Sequence, residues 1–276
     1  MRTTEWIREM NRTMPAAGAD DLANVRVELQ DAVAIVHLAR PAKRNALNDE
    51  TVFSLERWFS RPPEQVKAVV LAGDGDHFCA GLDLSELKER SVAEGMLHSR
   101  SWHKAFEPIE FGALPVVAVL HGAVVGGGLE LAAAAHIRVA EASTFYALPE
   151  GSRGIYVGGG ASVRVPKLVG VARMMDMMLT GRTYGAEEGF AIGLSQYVVP
   201  NGEGLQKGVE LAKKIAGNAS LTNFALMQVL PRIAESAPAS GYLLEALMAG
   251  VAQGDPAAKA RLSEFLEGRA AKVQHR

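Results

Sequence analysis

The chain has 276 residues, 48% hydrophobic and 22% charged, which is enough to bury a full core in one or two domains and excludes a disordered tail or a mini-scaffold. Its 29 Lys and Arg against 31 Asp and Glu leave a formal charge of -2, so nothing electrostatic points to a nucleic-acid partner. The lone Cys79 permits neither a disulfide nor a cysteine-built zinc site, the Met1 to Asp21 lead lacks a signal-peptide core, and no run approaches the roughly 20 apolar residues of a membrane span; a cytoplasmic protein is expected.

Val25 to Leu29 alternates with period two and Val33 to Leu38 follows across Gln30-Asp31, which predicts a hairpin. Asn48 is placed to cap a helix over about Asp49 to Phe59, which Pro62-Pro63 ends. Val66 to Ala72 reads as a buried strand stopped by Gly73-Asp74-Gly75-Asp76, and Leu84 to about Phe106 is helical with a weak middle. Pro115 to Leu120 is the next strand, His121 to Gly128 a second glycine-rich turn, Leu129 to Ala135 a short helix and Ile137 to Ala140 a strand. Strand, glycine turn and helix thus occur twice, the order of an α/β domain with parallel pairing. Beyond Pro166, the segments Lys167 to Leu179, Ala186 to Ile192, Gly204 to Ala216, Leu221 to Ala237 and Gly241 to Phe265 read as mostly helical.

The chemistry gathers at the glycines. His77 to Leu84 and His121 to Leu131 each join a strand to a helix, and small residues there let a ligand reach amides that lack intrahelical partners. Two such turns can form an oxyanion hole from backbone N–H groups alone. The plainer role for Gly126 to Gly128 is close packing of helix on strand. They do not make a dinucleotide fingerprint, because Leu131 stands where its third glycine belongs, and no Gly-Lys-Ser/Thr follows either run. Glu130 falls in the first turn of its helix, either as an ordinary N-terminal charge or as a working carboxylate. Glu150 follows Ala147-Leu148-Pro149 and precedes a glycine-rich passage through Gly160, at a strand-to-loop junction. Two glutamates bracketing one site are what paired acid and base chemistry requires.

Five segments, 40–48, 78–84, 122–130, 145–150 and 179–194, resemble the enoyl-CoA hydratase/isomerase (crotonase) family, in order and at natural spacing from about Val25 to Lys272. The resemblance implies an α/β, crotonase-like (ClpP/crotonase) spiral of ββα repeats with an α-helical C-terminal part. It divides the chain into a lead over 1–22, a core over 23–200 and a helical region over 201–276 that serves oligomerisation. By position, the N–H groups of Leu82 and Gly127 would form the oxyanion hole for a thioester carbonyl. Glu150 would serve as acid/base at the α-carbon, and Glu130 would hold and activate water. Gly158 would help orient a glutamate through its amide. Ala80, Asp83 and Leu84 would lie at the adenine end, and Lys43 or Arg44 would meet the CoA phosphates.

The implied activity is that of an enoyl-CoA hydratase, a lyase of fatty acid metabolism acting on an acyl-CoA, with no metal and no cofactor beyond the coenzyme A of the substrate. The alternatives are an isomerase, an acyl-CoA hydrolase or lyase of the same fold, or a non-catalytic acyl-CoA- or RNA-binding relative. Family members assemble as homotrimers or dimers of trimers. Trp102, His103 and Phe106 either wall the acyl pocket or form an ordinary amphipathic helix. Phe265 and Lys272 either complete a CoA site or belong to a solvated charged helix. Tyr156-Val157-Gly158, where the family often has Ile-Pro-Gly, and Gly151-Ser152-Arg153-Gly154 in place of an apolar stretch bear on acyl specificity and on the orientation of Glu150. Met174, Met175, Met177 and Met178 read as core or subunit-contact filler, His121 as a structural histidine and Cys79 as packing.

Overall fold

Residues 22–86 and 89–269 are described by a computed structural model of the chain. The period-two alternation produces the hairpin: β1 (Val25–Gln30) pairs antiparallel with β2 (Val33–Leu38). Every residue of β2 is buried, so it continues inward to β3 (Ala68–Gly73), which it meets in parallel. Between them runs α1 (Asp49–Ser60), whose cap is the Asn48 side chain accepting the Thr51 N–H at 3.0 Å. Its apolar face buries Val52, Leu55, Trp58 and Phe59. After β3 come α2 (Val92–Glu110), opened by a Ser91/Glu94 capping box, and β4 (Val116–Leu120).

A short β5 (Ala123–Val125) leads to α3 (Gly127–Ala134), followed by β6 (Ile137–Glu141) and β7 (Phe145–Ala147). Then follow α4 (Ala161–Val169), α5 (Val171–Thr180), β8 (Tyr184–Gly185), α6 (Ala186–Ile192), β9 (Tyr197–Val199) and α7 (Gly204–Ala216). The strands form a six-stranded sheet, β1-β2-β3-β4-β6-β9, parallel beyond the hairpin, and a three-stranded sheet, β5-β7-β8. This is the α/β architecture with parallel crossovers that the repeated strand-to-helix order predicts. All eight residues of α3 are buried, and Leu129 and Leu131 lie in one core with Leu71, Leu120, Phe106, Ile109 and Tyr146. Truncating any such leucine to alanine costs about 2–5 kcal/mol.

The structure departs from the sequence reading in several places. His121 to Gly128 is not one turn, because Ala123–Val125 pairs with β7 as a strand. Leu84 to Phe106 divides into a 3-10 turn at Leu84–Glu86 and a separate helix from Val92. Lys167 to Leu179 lies across two helices, broken at Gly170 where φ is +83°. The chain divides into a unit through Lys213 and a unit from Lys214. Within the second, α8 (Ser220–Phe224) and α9 (Leu230–Ala234) flank a π-helical turn, Ala225–Val229. The expected Gly241 to Phe265 helix is α10 (Pro238–Gly254) and α11 (Pro256–Leu266), since Pro256 starts a helix but cannot continue one. Among the described residues no helix is long and apolar enough to cross a membrane.

Candidate active site

The two glycine turns lie side by side. Phe78 donates its N–H to the His121 carbonyl at 2.8 Å, Cys79 to Ala123 at 2.9 Å, and Val125 back to the Cys79 carbonyl at 3.1 Å. The first turn therefore runs as a parallel extension beside β5. A second isolated bridge fixes Leu82: Leu47 donates to the Gly81 carbonyl at 2.7 Å and Asp83 to the Leu47 carbonyl at 2.8 Å. Those bonds use the groups on either side of Leu82 and turn its own N–H away from Leu47. Gly127 is the first residue of α3, so its N–H has no carbonyl one turn earlier. Among the described residues neither amide donates a hydrogen bond. They are close together, since a Cβ on Gly127 would stand 3.5 Å from the Leu82 nitrogen and 3.6 Å from Trp102 Cζ3.

Two carboxyls flank these amides. Glu130 is the one ionisable residue of a fully buried helix and is 3% exposed. Its Oε1 accepts the N–H of Gly159 at 2.8 Å and of Ala161 at 3.1 Å, at the N-terminus of α4. Burial pushes its pKa up, against the amides of Ala161, Gly159 and Gly158 and the charge of Arg164. Glu150 is 7% exposed, and its Oε2 is buried without a hydrogen-bond partner. Burial raises it to about 7; its own backbone N–H and Arg153 oppose the shift, and the charge of Glu130 adds to it. Gly126 makes room for this group: φ is +52° there, and a Cβ would fall 2.6 Å from Glu150 Oε1. The result is a pair of unpaired donors beside a carboxyl poised near neutrality and a second carboxyl anchored at a helix end. Such a site can hold a developing oxyanion and move a proton next to it.

The remaining sequence-predicted residues are less uniform. Lys43 and Arg44 are exposed, and the Arg44 carbonyl takes the Ala80 N–H at 3.0 Å, which ties their loop to the first turn. Asp83 is buried, and its carboxylate is committed to Ser85 at 2.6 Å and Arg40 at 3.0 Å. The Ser85 hydroxyl, ahead of Arg40 and Lys43, holds it below the usual range despite burial. Ala80 is half-buried and Leu84 exposed. Trp102 is buried with its ring edge beside the amide pair, and Phe106 Cε2 lies 3.2 Å from a Cβ position on Gly159. A Cβ on Gly159 would also fall 2.8 Å from Glu130 Oε2, and one on Gly158 would stand 3.7 Å from Ser99 Oγ. Phe265 is exposed on α11 of the second unit, and Lys272 lies outside the described residues. Cys79 is wholly buried, its thiol pushed up to about 12 by burial, and His121 Nε2 lies 3.0 Å from the Gly75 carbonyl. Met174 and Met177 are core, whereas Met175 is exposed.

Sequence reasoning missed the residues that hold this site from behind. Asp49 Oδ1, at the start of α1, accepts Trp102 Nε1–H at 2.8 Å and lies 2.7 Å from His98 Nε2. Burial alone would raise the Asp49 pKa, but the bonds from Trp102 and His98 outweigh it and leave it low. The only sequence signal was the i, i+4 spacing of His98 and Trp102, which does not name a partner. No group of three His, Cys, Asp or Glu among the described residues is placed to hold a metal ion.

Comparison with known proteins adds a second line of observation. The sequence profile of the enoyl-CoA hydratase/isomerase family matches residues 28–276. A short-chain-enoyl-CoA hydratase of Clostridium acetobutylicum is 35% identical over 202 residues, covering 72% of this chain and 77% of that protein. A fatty acid oxidation complex subunit alpha of Shewanella loihica is 43% identical over 147 residues, 52% of this chain and 21% of that protein, so the chain spans about a fifth of it. Among solved structures, a provisionally assigned enoyl-CoA hydratase from Rhodopseudomonas palustris CGA009 superposes with a TM-score of 0.88 at 55% identity, covering 95% of this chain and 100% of that one. The enoyl-CoA hydratase from Bacillus anthracis gives 0.84 at 27% identity, covering 91% and 98%.

Proposed function

Since the chain belongs to the enoyl-CoA hydratase/isomerase family, we propose that it is an enoyl-CoA hydratase, a hydro-lyase that adds water syn to a 2-enoyl-CoA thioester to give the 3-hydroxyacyl-CoA. The observation that carries this reading is the grouping of Glu130 and Glu150 around the unpaired amides of Leu82 and Gly127. The thioester oxygen accepts from both amides, and negative charge that develops there as water attacks the β-carbon is met by donors already in place. Glu130, fixed by two amides, holds the water and takes its proton. Glu150, near neutrality, gives its proton to the α-carbon, and one proton then passes between the carboxyls to restore the pair. Two carboxyls favour hydration over isomerisation, which one acid/base group can perform.

Lys43 and Arg44, exposed on a loop tied to the first turn, are candidates for the CoA phosphates, with Ala80, Asp83 and Leu84 toward the adenine. Coenzyme A enters as substrate, and no further cofactor is required by this chemistry. The assembly is a homotrimer or a dimer of trimers in the cytoplasm, with no nucleic-acid or membrane partner. Purified protein mixed with short, medium and aromatic 2-enoyl-CoA thioesters should lose the conjugated enoyl absorbance and yield 3-hydroxyacyl-CoA. Glu130→Gln and Glu150→Gln should each slow it by at least ~100-fold. No loss on any thioester would overturn the hydratase reading, and near-normal turnover by Glu150→Gln would overturn its role.

A further inference from the structure

Ser99 lies on α2, in none of the segments that carry the family resemblance, and its hydroxyl donates to the Gly158 carbonyl at 2.7 Å. The same peptide group presents the Gly159 N–H on its other side, and that N–H donates to Glu130 Oε1 at 2.8 Å. One rigid, planar amide thus lies between a serine hydroxyl and a carboxylate of the site. We propose that Ser99 is a positioning residue for Glu130 and acts on it through the Gly158–Gly159 peptide. The inference rests on Glu130 being a working carboxylate of the proposed reaction.

Two physical effects run along this line. A donor on the carbonyl fixes the peptide plane, so the N–H on its far side keeps its aim at Oε1. It also polarises the amide, which makes that N–H the stronger donor. Anchoring the loop does not by itself require Ser99. Arg164 already holds the next carbonyl, that of Gly159, at 2.8 Å, and is itself held by Glu110 at 2.7 Å. The serine adds orientation at the shorter of the two amide bonds that Glu130 Oε1 accepts. The charged and titratable groups facing Glu130 are Arg164 from α4 and Glu150 from the segment after β7, with Glu110 behind Arg164. His103 lies one turn along α2, its Nε2 3.4 Å from Ser99 Oγ. Burial, Arg164 and Arg100 hold His103 below the ordinary histidine range, against a hydrogen bond to the Gly158 backbone that raises it.

Removing the hydroxyl weakens a bond to the ionised form of Glu130, so its titration midpoint moves up. The first readout is independent of turnover: the carboxyl titration of Glu130 by infrared difference spectroscopy, with Glu130→Gln variants as blanks. Ser99→Ala should raise the midpoint by roughly 0.5 to 1 unit, and Ser99→Thr, which keeps the hydroxyl, should restore it. The second readout is hydration kinetics. Ser99→Ala should lower kcat about 5-fold with KM nearly unchanged, the scale of one hydrogen bond, and move the acid limb of the kcat profile to higher pH. Ser101→Ala, which loses only a bond to the His98 carbonyl of its own helix, should change neither readout. An unmoved Glu130 midpoint in folded Ser99→Ala overturns the inference, as does a Thr variant that behaves like Ala. A wild type that titrates as expected but hydrates no enoyl-CoA would instead overturn the functional reading.

Discussion

A carboxyl with a midpoint of about 7 in the fold and an ordinary 4.5 outside it makes stability depend on pH in a definite sense. The folded pKa of Glu150 is raised, so its favourable contribution is complete below about 4.5 and is lost as pH rises through 7. Glu150→Gln carries no such charge. Its stability should gain on wild type between pH 5 and 8, by an amount on the order of 2 kcal/mol; denaturant titrations that give a constant gap would show that Glu150 is not strained by burial. Leu82 is the complementary case, because the proposed reaction would use only its main chain. Leu82→Ala keeps the N–H and should retain most turnover, whereas Leu82→Pro removes the donor and should cost ~100-fold or more. Equal rates for the two variants would remove Leu82 from the oxyanion site. Glu130, Glu150 and both turns were legible in the sequence as candidates, although Glu130 alone reads equally as an ordinary charge at the N-terminus of its helix. Ser99 and Asp49 were not, because a serine or aspartate on a polar helix face says nothing about which distant backbone or indole it will meet.

At the scale of elements, α2 does more than its modest amphipathic pattern indicates. Trp102 and His98 on one part of its surface meet Asp49 of α1, Ser99 meets Gly158, and Phe106 packs by Gly159. Trp102→Phe keeps the ring stack and loses the indole donor, which should cost ~1 kcal/mol in thermal or chemical unfolding. Trp102→Ala opens space 3.6 Å from the Gly127 Cβ position and should raise kcat/KM for bulky acyl groups relative to short ones. Unchanged ratios across short, long and aromatic thioesters would assign Trp102 to the core alone. The hairpin, α1 with its Asn48 cap, α6 and α7 follow from periodicity and capping, which are local. Strands β5, β8 and β9 are two or three residues long and exist only because a partner strand lies beside them, so no local pattern announces them.

Over the whole molecule, the parallel order of the main sheet was legible because strand, turn and helix recur, and right-handed crossovers leave little choice of topology. The existence of a second sheet was not, since β5 hides within a run of glycine and small residues. The second unit exposes Tyr242, Leu243, Leu247 and Val251 along α10, more apolar surface than an isolated helix pair keeps in water. For the proposed homotrimer or dimer of trimers, light scattering should return three or six times the 29.4 kDa chain mass, and a monomer at micromolar concentration would refute that proposal. The two unpaired amides have a wider consequence. In the proposed reaction the electron sink is written in main chain, so most single substitutions at Leu82 would leave it intact, and drift in the side chains around it would alter which acyl group fits while the polarising centre is inherited unchanged. A scaffold of that kind can change its substrate without first losing its chemistry.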